Sequence, residues 1–387
     1  MAKLGEVCTI VSGSTPKTSV TSYWDGNIKW ITPAELNEDT FYIMDSVRHI
    51  TEEGKEKTGL SYLPTGTVIL SSRAPIGKTA IAGCEMCCNQ GFKNLICSDA
   101  IYNEYLYFFL KSKTDYLNSL GRGATFKEIS KSIVESIEIP LPEVNQQKEI
   151  AEKFKKLEQL ISLRKQQLAK LDELVKVRFV EMFGDPADNV NNLPASPMTA
   201  ICQIIDGDRG KNYPKQEEFS DNGFCLFLNA KNVTAQGFSF ENCTYITEEK
   251  DALLRNGKLC RGDVVLTTRG TIGNLAFYDT SVPYENIRIN SGMVILRMNK
   301  QVVSEIFFIE QFKMQLDSIK SRIASGSAQP QLPISTMNKI EMILPPIELQ
   351  NQFAAFVERV DQQKQTVQQS LDKLELMKKA LMQEYFG

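Results

Sequence analysis

Two stretches of the chain carry apolar residues at intervals of seven. Each stretch begins just after prolines, contains no internal Pro or Gly, and ends at Phe-Gly, as expected of a long helix stopped by glycine. A sustained seven-residue repeat indicates a coiled-coil seam, so the two stretches are predicted to form two long helices. At a rise of about 1.5 Å per residue, each helix is roughly 55 Å long. The seam residues are Ile161, Leu168, Val175 and Met182, supported by Leu157, Leu171 and Leu174, and then Phe353, Val360, Val367, Leu374 and Leu381.

The two helices are predicted to pair with each other as an intramolecular coiled coil. Pairing within one chain costs less association entropy than pairing with another molecule, because the chain itself holds the partners together. Two alternatives stay open from the pattern alone. The helices could form separate coiled coils with outside partners, or they could be two unrelated amphipathic surface helices.

Outside these stretches the periodicity changes to that of short strands. Runs rich in β-branched and apolar residues, bounded by Gly, Pro and Asn, predict strands over 67–71, 264–268 and 293–296. Helical spacing predicts helices over 104–113 and 304–315. Each half of the chain is therefore predicted to contain a mixed α/β (α+β) globular domain.

The two halves repeat each other in the same order, with an offset that drifts by a few residues. Duplicated domains with loop insertions produce such a pattern. We predict a pseudo-twofold internal repeat with a globular domain at 1–143, a helix at 144–184, a second domain at 185–346 and a second helix at 347–387. The matching segments are 66–78 with 262–274, 89–91 with 290–292, 139–146 with 343–350, and 181–184 with 384–387.

Composition excludes several classes of protein. The 387 residues include 42% hydrophobic and 24% charged residues, which suits about two or three folded domains. No run is long and apolar enough for a membrane span and no secretory signal opens the sequence, so the expected location is the cytoplasm, with no membrane partner. The single histidine, His49, excludes most histidine-dependent catalytic and metal sites. The nine irregularly spaced cysteines are expected to be reduced, and the group between Cys84 and Cys97 lacks a second ligand pair for zinc.

Charge and motifs together point to a binding protein. The net charge of −3 counts against binding nucleic acid by bulk charge, so any such site must be a local basic surface or be completed by a partner. No phosphate-binding loop, dinucleotide fingerprint or base-flipping methyltransferase motif is found in the sequence. Two similar domains on a rigid spacer form a two-headed binding module. A protein-binding adaptor and a DNA-acting enzyme with an unrecognised carboxylate pair remain the alternatives.

Short motifs in both halves add a resemblance to a known family. Together they resemble the specificity (S) subunit of Type I restriction-modification systems, over essentially the whole chain and including the duplicated order of domain and helix. The second half departs from the first at 227–232, so the two domains are expected to read different sequences. The motifs lie at 30–36, 72–78, 89–93, 139–142 with 146–148, 268–273 and 289–293.

The resemblance implies a non-catalytic, DNA-binding protein. In this family each target-recognition domain reads one half of a bipartite, asymmetric site on double-stranded DNA, and the two helices pair as an antiparallel coiled coil that sets the gap. Two methyltransferase (modification) subunits dock to complete the modification enzyme, and up to two restriction subunits can be added to give ATP-dependent cleavage. S-adenosylmethionine, ATP and magnesium would then belong to the partner subunits, with no cofactor, metal or catalytic residue in this chain.

The candidate DNA contacts are polar side chains on loops that could enter a groove. Arginine can bind guanine with two hydrogen bonds, Asn and Gln can bind adenine, and Lys mostly holds phosphate. Arg73 and Arg269 occupy matching positions in the two halves, so these arginines could equally fix the fold or bind the DNA backbone. The matching loops 121–127 and 325–331 could touch DNA or be simple turns. The candidates are Thr15, Lys17, Arg73, Lys78, Arg122 and Lys127 in the first half, and Arg209, Lys211, Asn212, Arg269, Gln329 and Gln331 in the second.

Overall fold

A computed structural model of the protein describes residues 1–37, 39–122, 127–323 and 331–387. The chain divides into two compact units. Unit 1 consists of Met1–Gln166 together with Gln368–Gly387, and unit 2 consists of Gln167–Val367.

Unit 1 is a mixed α/β domain. Its strands are β1 Ala2–Lys3, β2 Cys8–Ser12, β3 Trp24–Ile31, β4 Tyr42–Ile43, β5 Arg48–Ile50, β6 Val68–Ser71, β7 Thr79–Ala82, β8 Cys87–Cys88, β9 Phe92–Cys97 and β10 Glu138–Ile139. Its helices are α1 Leu4–Val7, α2 Glu52–Thr58, α3 Asn103–Ser112, α4 Thr114–Leu120, α5 Lys131–Ser136 and the first part of α6 Val144–Phe183. Residues 368–386 add the last part of the second long helix.

The strands of unit 1 form a main sheet and two smaller sheets. The main sheet has the order β2-β9-β6-β7-β4, a second sheet has the order β5-β3-β8, and β1 pairs with β10. Strand β6 is buried along its whole length, which explains why it reads as an uninterrupted apolar run and not as an alternating one. It lies antiparallel to β9 with Leu70 opposite Lys93, a pair that matters for the loops described below.

A tight turn follows β6 and contains Ile76 and Gly77 of the 72–78 motif. The amide of Gly77 donates to the carbonyl of Ser71 at 3.0 Å. Gly77 has a φ of 95°, a conformation that disfavours any residue with a Cβ atom. A Cβ there would also come within 3.0 Å of Thr114 on α4. The glycine is therefore required both by the backbone and by the packing of the turn.

The core of unit 1 combines α3 with both chain segments of the unit. Phe154 of α6 and Phe386, from the second segment, stack with ring centroids 5.6 Å apart. Phe386 also packs edge-on against Tyr105 of α3 at 5.3 Å and is only 2% exposed. The core of unit 1 is therefore built from residues at both ends of the sequence.

Unit 2 repeats this plan. Its strands are β11 Ala195–Pro197, β12 Cys202–Asp206, β13 Cys225–Leu228, β14 Val233–Thr234, β15 Gly237–Phe238, β16 Tyr245–Ile246, β17 Val264–Thr267, β18 Leu275–Phe277, β19 Ile287–Ile289, β20 Met293–Met298 and β21 Glu341–Ile343. Its helices, besides the second part of α6, are α7 Met198–Ile201, α8 Glu248–Leu253, α9 Glu305–Ile323, α10 Ile334–Met337 and the first part of α11 Ile347–Phe386.

Among the described residues, three sheets of unit 2 correspond to the three of unit 1, and the pair β14–β15 is additional. The main sheet has the order β12-β20-β17-β18, a second has the order β16-β13-β19, and β14 pairs with β15 and β11 with β21. The turn after β17 again ends in a glycine with positive φ, Gly273 at 94°. Aromatic side chains form the core next to the helices: Phe179 of α6 packs against Phe307 of α9 at 5.4 Å and against Phe353 of α11 at 5.3 Å.

The two long helices have the predicted limits at both ends. Helices α6 and α11 each span 40 residues. Gly184, with a φ of 81°, follows the end of α6. The seam residues Ile161, Val175, Phe353, Val360 and Val367 are buried. The prediction that Leu174 supports the seam was wrong. Leu174 is 45% exposed, because it lies one position before the buried seam residue Val175 and points away from the seam.

Within each unit the two helices run antiparallel. In unit 1 the ammonium group of Lys378 lies 2.8 Å from the carboxylate of Glu158, and Lys165 lies 3.8 Å from Glu375. In unit 2 Lys364 lies 2.7 Å from Asp172. In each unit the partner numbers fall along α11 as they rise along α6, in unit 2 from Lys364 opposite Asp172 to Phe353 opposite Phe179. This is the antiparallel pairing that the family resemblance implied.

A buried glutamine joins the start of each long helix to its domain. Gln147 accepts from the amide of Tyr102 at 2.8 Å and donates to the carbonyls of Ala100 at 3.0 Å and Pro142 at 2.8 Å. Gln350 of α11 makes the same set of bonds, to the amide of Ser304 and the carbonyls of Val302 and Pro345. The structural counterpart of Gln350 is therefore Gln147, one residue after the position that sequence matching selects.

Three further observations concern the described residues. No helix among them is both long and apolar enough to cross a membrane. The same residues contain no group of three or more His, Cys, Asp or Glu arranged to hold a metal ion. All nine cysteines are free. The boundary between the two compact units falls inside both long helices. The division into a domain, a helix, a second domain and a second helix therefore remains a prediction.

Candidate nucleic-acid interface

Four loops of unit 1 are hydrogen-bonded into one group, here called loop cluster 1. It comprises residues 14–17, 72–78, 89–93 and the described ends of the 121–128 loop. The amide of Ser14 donates to the carbonyl of Cys88 at 3.0 Å, and the hydroxyl of Thr15 donates to the side chain of Gln90. The amide of Ser72 donates to Gly91 at 2.7 Å, and its carbonyl accepts from Ile129 at 2.9 Å. Loops that are far apart in sequence are thus joined at one place.

Two indole groups hold the first of these loops. The Nε1–H of Trp30 donates to the carbonyl of Ser14 at 3.0 Å, and the Nε1–H of Trp24 donates to the carbonyl of Lys17 at 3.2 Å. Both tryptophans are buried, and their rings meet edge to face at 5.1 Å. The backbone on either side of Thr15 is therefore fixed from the domain interior. The Lys17 ammonium group is exposed and has no ion-pair partner among the described residues.

Arg73 lies at the end of β6 in a small charge network. Its Nε–H donates to Oε2 of Glu128 at 2.9 Å, and Oε1 of the same carboxylate accepts from the ammonium group of Lys93 at 3.2 Å. Burial raises the pKa of Glu128, but the hydrogen bonds from Arg73 and Lys93 outweigh it and hold that pKa below its ordinary value. Glu128 is therefore ionised and fixes the guanidinium group from one side.

The other predicted residues of unit 1 lie in different settings. Arg122 and Glu128 exchange both backbone hydrogen bonds at 3.0 Å, which places the exposed Arg122 side chain in loop cluster 1. Lys127 is exposed beside Glu128. The ammonium group of Lys78 is turned inward, donating to the carbonyls of Leu36 at 2.6 Å and Pro33 at 3.2 Å. Lys78 thus holds the turn at 33–36, and a DNA contact from it stays a prediction.

Unit 2 has a matching group, loop cluster 2, formed by residues 207–212, 268–274, 290–292 and 331–332. The amide of Thr268 donates to Gly292 at 2.9 Å, and its carbonyl accepts from Leu332 at 3.0 Å, as for Ser72 in unit 1. The guanidinium group of Arg209 donates to the carbonyl of Ser291 at 3.1 Å and to the carboxylate of Asp206 at 3.1 Å. The early loop and the 290–292 loop are therefore joined here too.

A buried aspartate shapes the 207–212 loop. The carboxylate of Asp208 accepts from the amides of Gly210 and Arg255, each at 2.7 Å. Burial raises the pKa of Asp208, but these backbone donors outweigh it and hold the pKa below its ordinary value. The ionised aspartate organises the backbone that carries Arg209 and the exposed Lys211.

Arg269 occupies the place of Arg73 without its charge network. It forms a backbone bridge with Gln331, as Arg73 does with Glu128, and both side chains are exposed. Among the described residues, the Arg269 side chain has no ion-pair partner. Asn212 donates to the carbonyl of Leu253 at 3.1 Å and so is tied to the end of α8. Gln329 lies outside the described residues, as do 123–126 of the 121–127 loop.

Each loop cluster can therefore offer fixed hydrogen-bond donors to an anionic or polar surface. Loop cluster 1 presents Lys17, Arg73, Arg122 and Lys127. Loop cluster 2 presents a corresponding set of basic and amide side chains. Guanidinium groups match phosphate or the edge of guanine, and ammonium groups match phosphate. These exposed basic side chains are the kind of local surface that a chain of net charge −3 needs in order to bind nucleic acid.

Sequence reasoning missed the residues that position these donors. Lys93, Glu128 and Asp208 are charged groups that act inside their domains, and Trp24 acts through a single N–H group. Matching the loop 121–127 to 325–331 in the sequence pairs Gln331 with Lys127, whereas the backbone bridges pair it with Glu128. The difference in charge between Glu128 and Gln331 is therefore apparent only in the structure, as is the contact of Glu128 with Lys93.

Comparison with known proteins places this arrangement in a family. The chain matches the family model described as Type I restriction modification DNA specificity domain over residues 1–173 and 198–376. It is 29% identical over 389 aligned residues to the Type I restriction enzyme MjaIX specificity subunit of Methanocaldococcus jannaschii, covering 92% of this chain and 85% of that protein.

Solved structures share the fold. The S subunit of a Type I restriction-modification system from M. genitalium aligns with a TM-score of 0.60 at 17% identity, covering 100% of this chain and 95% of that one. A chain from a structure of complex assembly and conformational transition in the type I R-M system aligns with a TM-score of 0.62 at 16% identity, covering 100% and 96%. The resemblance seen in the sequence motifs is confirmed.

Proposed function

The chain belongs to the Type I restriction-modification DNA specificity family, and on that basis we propose that it is the sequence-reading subunit of such a complex. One observation carries the proposal. The family match covers both halves of the chain, and each half contains a loop cluster with the same framework and different exposed side chains. Two similar readers with different contacts recognise a bipartite, asymmetric site on double-stranded DNA.

Direct readout comes from the donors of the two loop clusters. Arg73 and Arg269 approach the edge of a guanine or a phosphate, and Lys17, Lys127 and Lys211 neutralise phosphates. The phosphate contacts hold the domain in register, while contacts to base edges select the sequence. Because the exposed residues differ between the clusters, each unit selects its own half-site.

Catalysis lies in partner subunits. The sequence contains no motif for S-adenosylmethionine, ATP or a flipped base, so methyl transfer and cleavage are carried out by modification and restriction subunits that bring these cofactors and Mg²⁺. Two modification subunits, one for each half-site, match the internal duplication. Such a complex works where the chromosome is, which we take to be the cytoplasm.

Exposed apolar side chains on the long helices offer a docking surface for the modification subunits. In unit 1 Leu160 and Leu163 of α6 are exposed, and in unit 2 Leu174 and Val177 of the same helix are. Each pair is three residues apart and so lies on one face of the helix. Large apolar groups left in water at regular helical spacing are typical of an interface that a partner covers.

The helices also set the number of base pairs between the two half-sites. An insertion of four residues at 149–153 lengthens α6 by about 6 Å and by slightly more than one turn, so the seam is roughly kept. We expect the recognised gap to grow by one or two base pairs with both half-sites unchanged. An active variant with the original gap would show that the helices do not measure it.

A domain exchange tests the proposal as a whole. Residues 1–143 are replaced with the equivalent domain of a relative, the chain is co-expressed with its modification subunits, and methylated sites are mapped. One half of the recognised sequence should change and the other should stay. Change in both halves, or in neither, would contradict independent readers. Methyl transfer by the purified chain alone would contradict the assignment of catalysis to partners.

A further inference from the structure

We propose that Glu128 is a positioning residue that aims Arg73 at the DNA, and that Arg73 reads half-site 1 through this charge network while its counterpart Arg269 reads half-site 2 without one. The proposal rests on the DNA-reading function proposed above and assigns a specificity role within it. It makes the two halves of the recognised site physically different in how they are read.

The contact with Glu128 occupies only one of the three guanidinium nitrogens of Arg73. Glu128 accepts only from Nε of the guanidinium group, at 2.9 Å. Nη1 and Nη2 have no protein partner among the described residues, and the side chain is exposed. These two atoms are the ones that can donate side by side to O6 and N7 of a guanine, or to two oxygens of a phosphate. A carboxylate on the Nε side fixes the direction in which the pair points.

Glu128 is itself anchored from beneath. Its other oxygen accepts from Lys93, whose side chain is almost completely buried at the start of β9. A buried ammonium group needs a negative partner, so Glu128 cannot swing away to follow Arg73 without leaving Lys93 unpaired. The guanidinium group is therefore held against a fixed support, and ordering it on DNA costs less side-chain entropy.

Unit 2 supplies an internal comparison. Leu70 of β6 pairs with Lys93 in unit 1, and Leu266 of β17 pairs with Val294 in unit 2. The backbone bridge of Arg73 to Glu128 corresponds to that of Arg269 to Gln331. The backbone is thus conserved between the units while the network Lys93–Glu128 is replaced by Val294–Gln331. The same framework forms in unit 2 without the network, so the network is a feature of unit 1 alone.

The decisive variant places the two unit 2 residues at the corresponding positions of unit 1. Lys93→Val combined with Glu128→Gln removes both charges together, so neither is left buried and unpaired. The variant is co-expressed with the modification subunits, and methylation rates are measured on DNA carrying every single-base change in each half-site. We expect discrimination at one or more positions of half-site 1 to fall about tenfold, the order of one well-placed bidentate contact. Discrimination in half-site 2, which serves as the internal control, should be unchanged.

A double-mutant cycle with Arg73→Ala separates positioning from a purely structural role. If Glu128 acts through Arg73, Glu128→Gln loses its effect on half-site 1 once Arg73 is absent, whereas a structural role would give additive losses. Unchanged discrimination at half-site 1 in the double variant Lys93→Val, Glu128→Gln would overturn the inference and leave the DNA-reading function intact. Equal losses at both half-sites would overturn it too. If the wild-type complex recognised no bipartite site, the proposed function itself would fall.

Discussion

Replacing the buried glutamine at the start of α6 should weaken unit 1 specifically. Gln147 is fully buried and makes three hydrogen bonds, to the amide of Tyr102 and the carbonyls of Ala100 and Pro142. In the variant Gln147→Ala all three are lost and the backbone groups are left without partners. At a net value of about 0.5–1.5 kcal/mol for each bond, we expect a loss of about 2–4 kcal/mol in the free energy of unfolding.

The chain provides a selective assay for this change. It contains two tryptophans, Trp24 and Trp30, and both lie in unit 1. Denaturant unfolding followed by tryptophan fluorescence therefore reports on unit 1. The fluorescence transition of Gln147→Ala should move to lower denaturant. Gln350→Ala, which removes the equivalent bonds in unit 2, should act mainly on the part of the circular-dichroism transition that fluorescence does not follow.

A neighbouring glutamine is the matched control. Gln146 is exposed, and it is the residue that sequence matching pairs with Gln350. Gln146→Ala should change the free energy of unfolding by less than about 0.5 kcal/mol, as for an ordinary surface substitution. If Gln146→Ala moved the fluorescence transition as far as Gln147→Ala, or if neither variant moved it, the hydrogen bonds of Gln147 would not be what holds α6 to the domain.

Three further substitutions test the loop clusters and the helices. Trp30→Phe removes the N–H that holds the carbonyl of Ser14, so methylation mapping should show weaker modification through half-site 1 with half-site 2 unaffected; equal weakening at both would argue against a local role. Asp208 has a lowered pKa, so its ionised form stabilises unit 2 at pH values above its ordinary pKa, and this stability is lost as the pH falls through the folded pKa. The free energy of unfolding measured against pH should therefore fall less steeply on the acid side in Asp208→Asn than in the wild type, and an unchanged slope would refute this. Leu163→Asp, at a side chain 58% exposed, should reduce co-purification of modification subunits without lowering the unfolding temperature, and undiminished co-purification would place the docking surface elsewhere.

The long helices could be predicted because their signal is local and repeated. A period of seven over several turns, prolines before it and glycine after it are all written along the sequence. The error at Leu174 has a physical cause: apolar residues beside the seam look the same as seam residues until the partner helix is known. The choice of Gln146 over Gln147 arose because proline-rich junctions can be matched in two registers, and only burial distinguishes them.

The sequence could suggest which exposed side chains belong to the candidate site, but not which groups hold them in place. The exposed donors Lys17, Arg73 and Arg209 stand next to turn motifs that the sequence displays. The groups that position them depend on strand register and on buried hydrogen bonds over long sequence separations. Glu128 and Lys93, for example, meet only because β6 pairs with β9 and Glu128 forms a backbone bridge with Arg73. Such contacts leave no periodic pattern in the sequence.

The core of unit 1 has a consequence for the order of folding during synthesis. Phe386 stacks on Phe154 and packs against Tyr105, so that core cannot close until the ribosome has passed through all of unit 2. Unit 2 is one continuous segment and has its complete core sooner. The domain that is translated first is therefore finished last. Until then the apolar face of α3 lacks its contact with Phe386. A chaperone that shields this face would therefore act on the N-terminal half of the nascent chain.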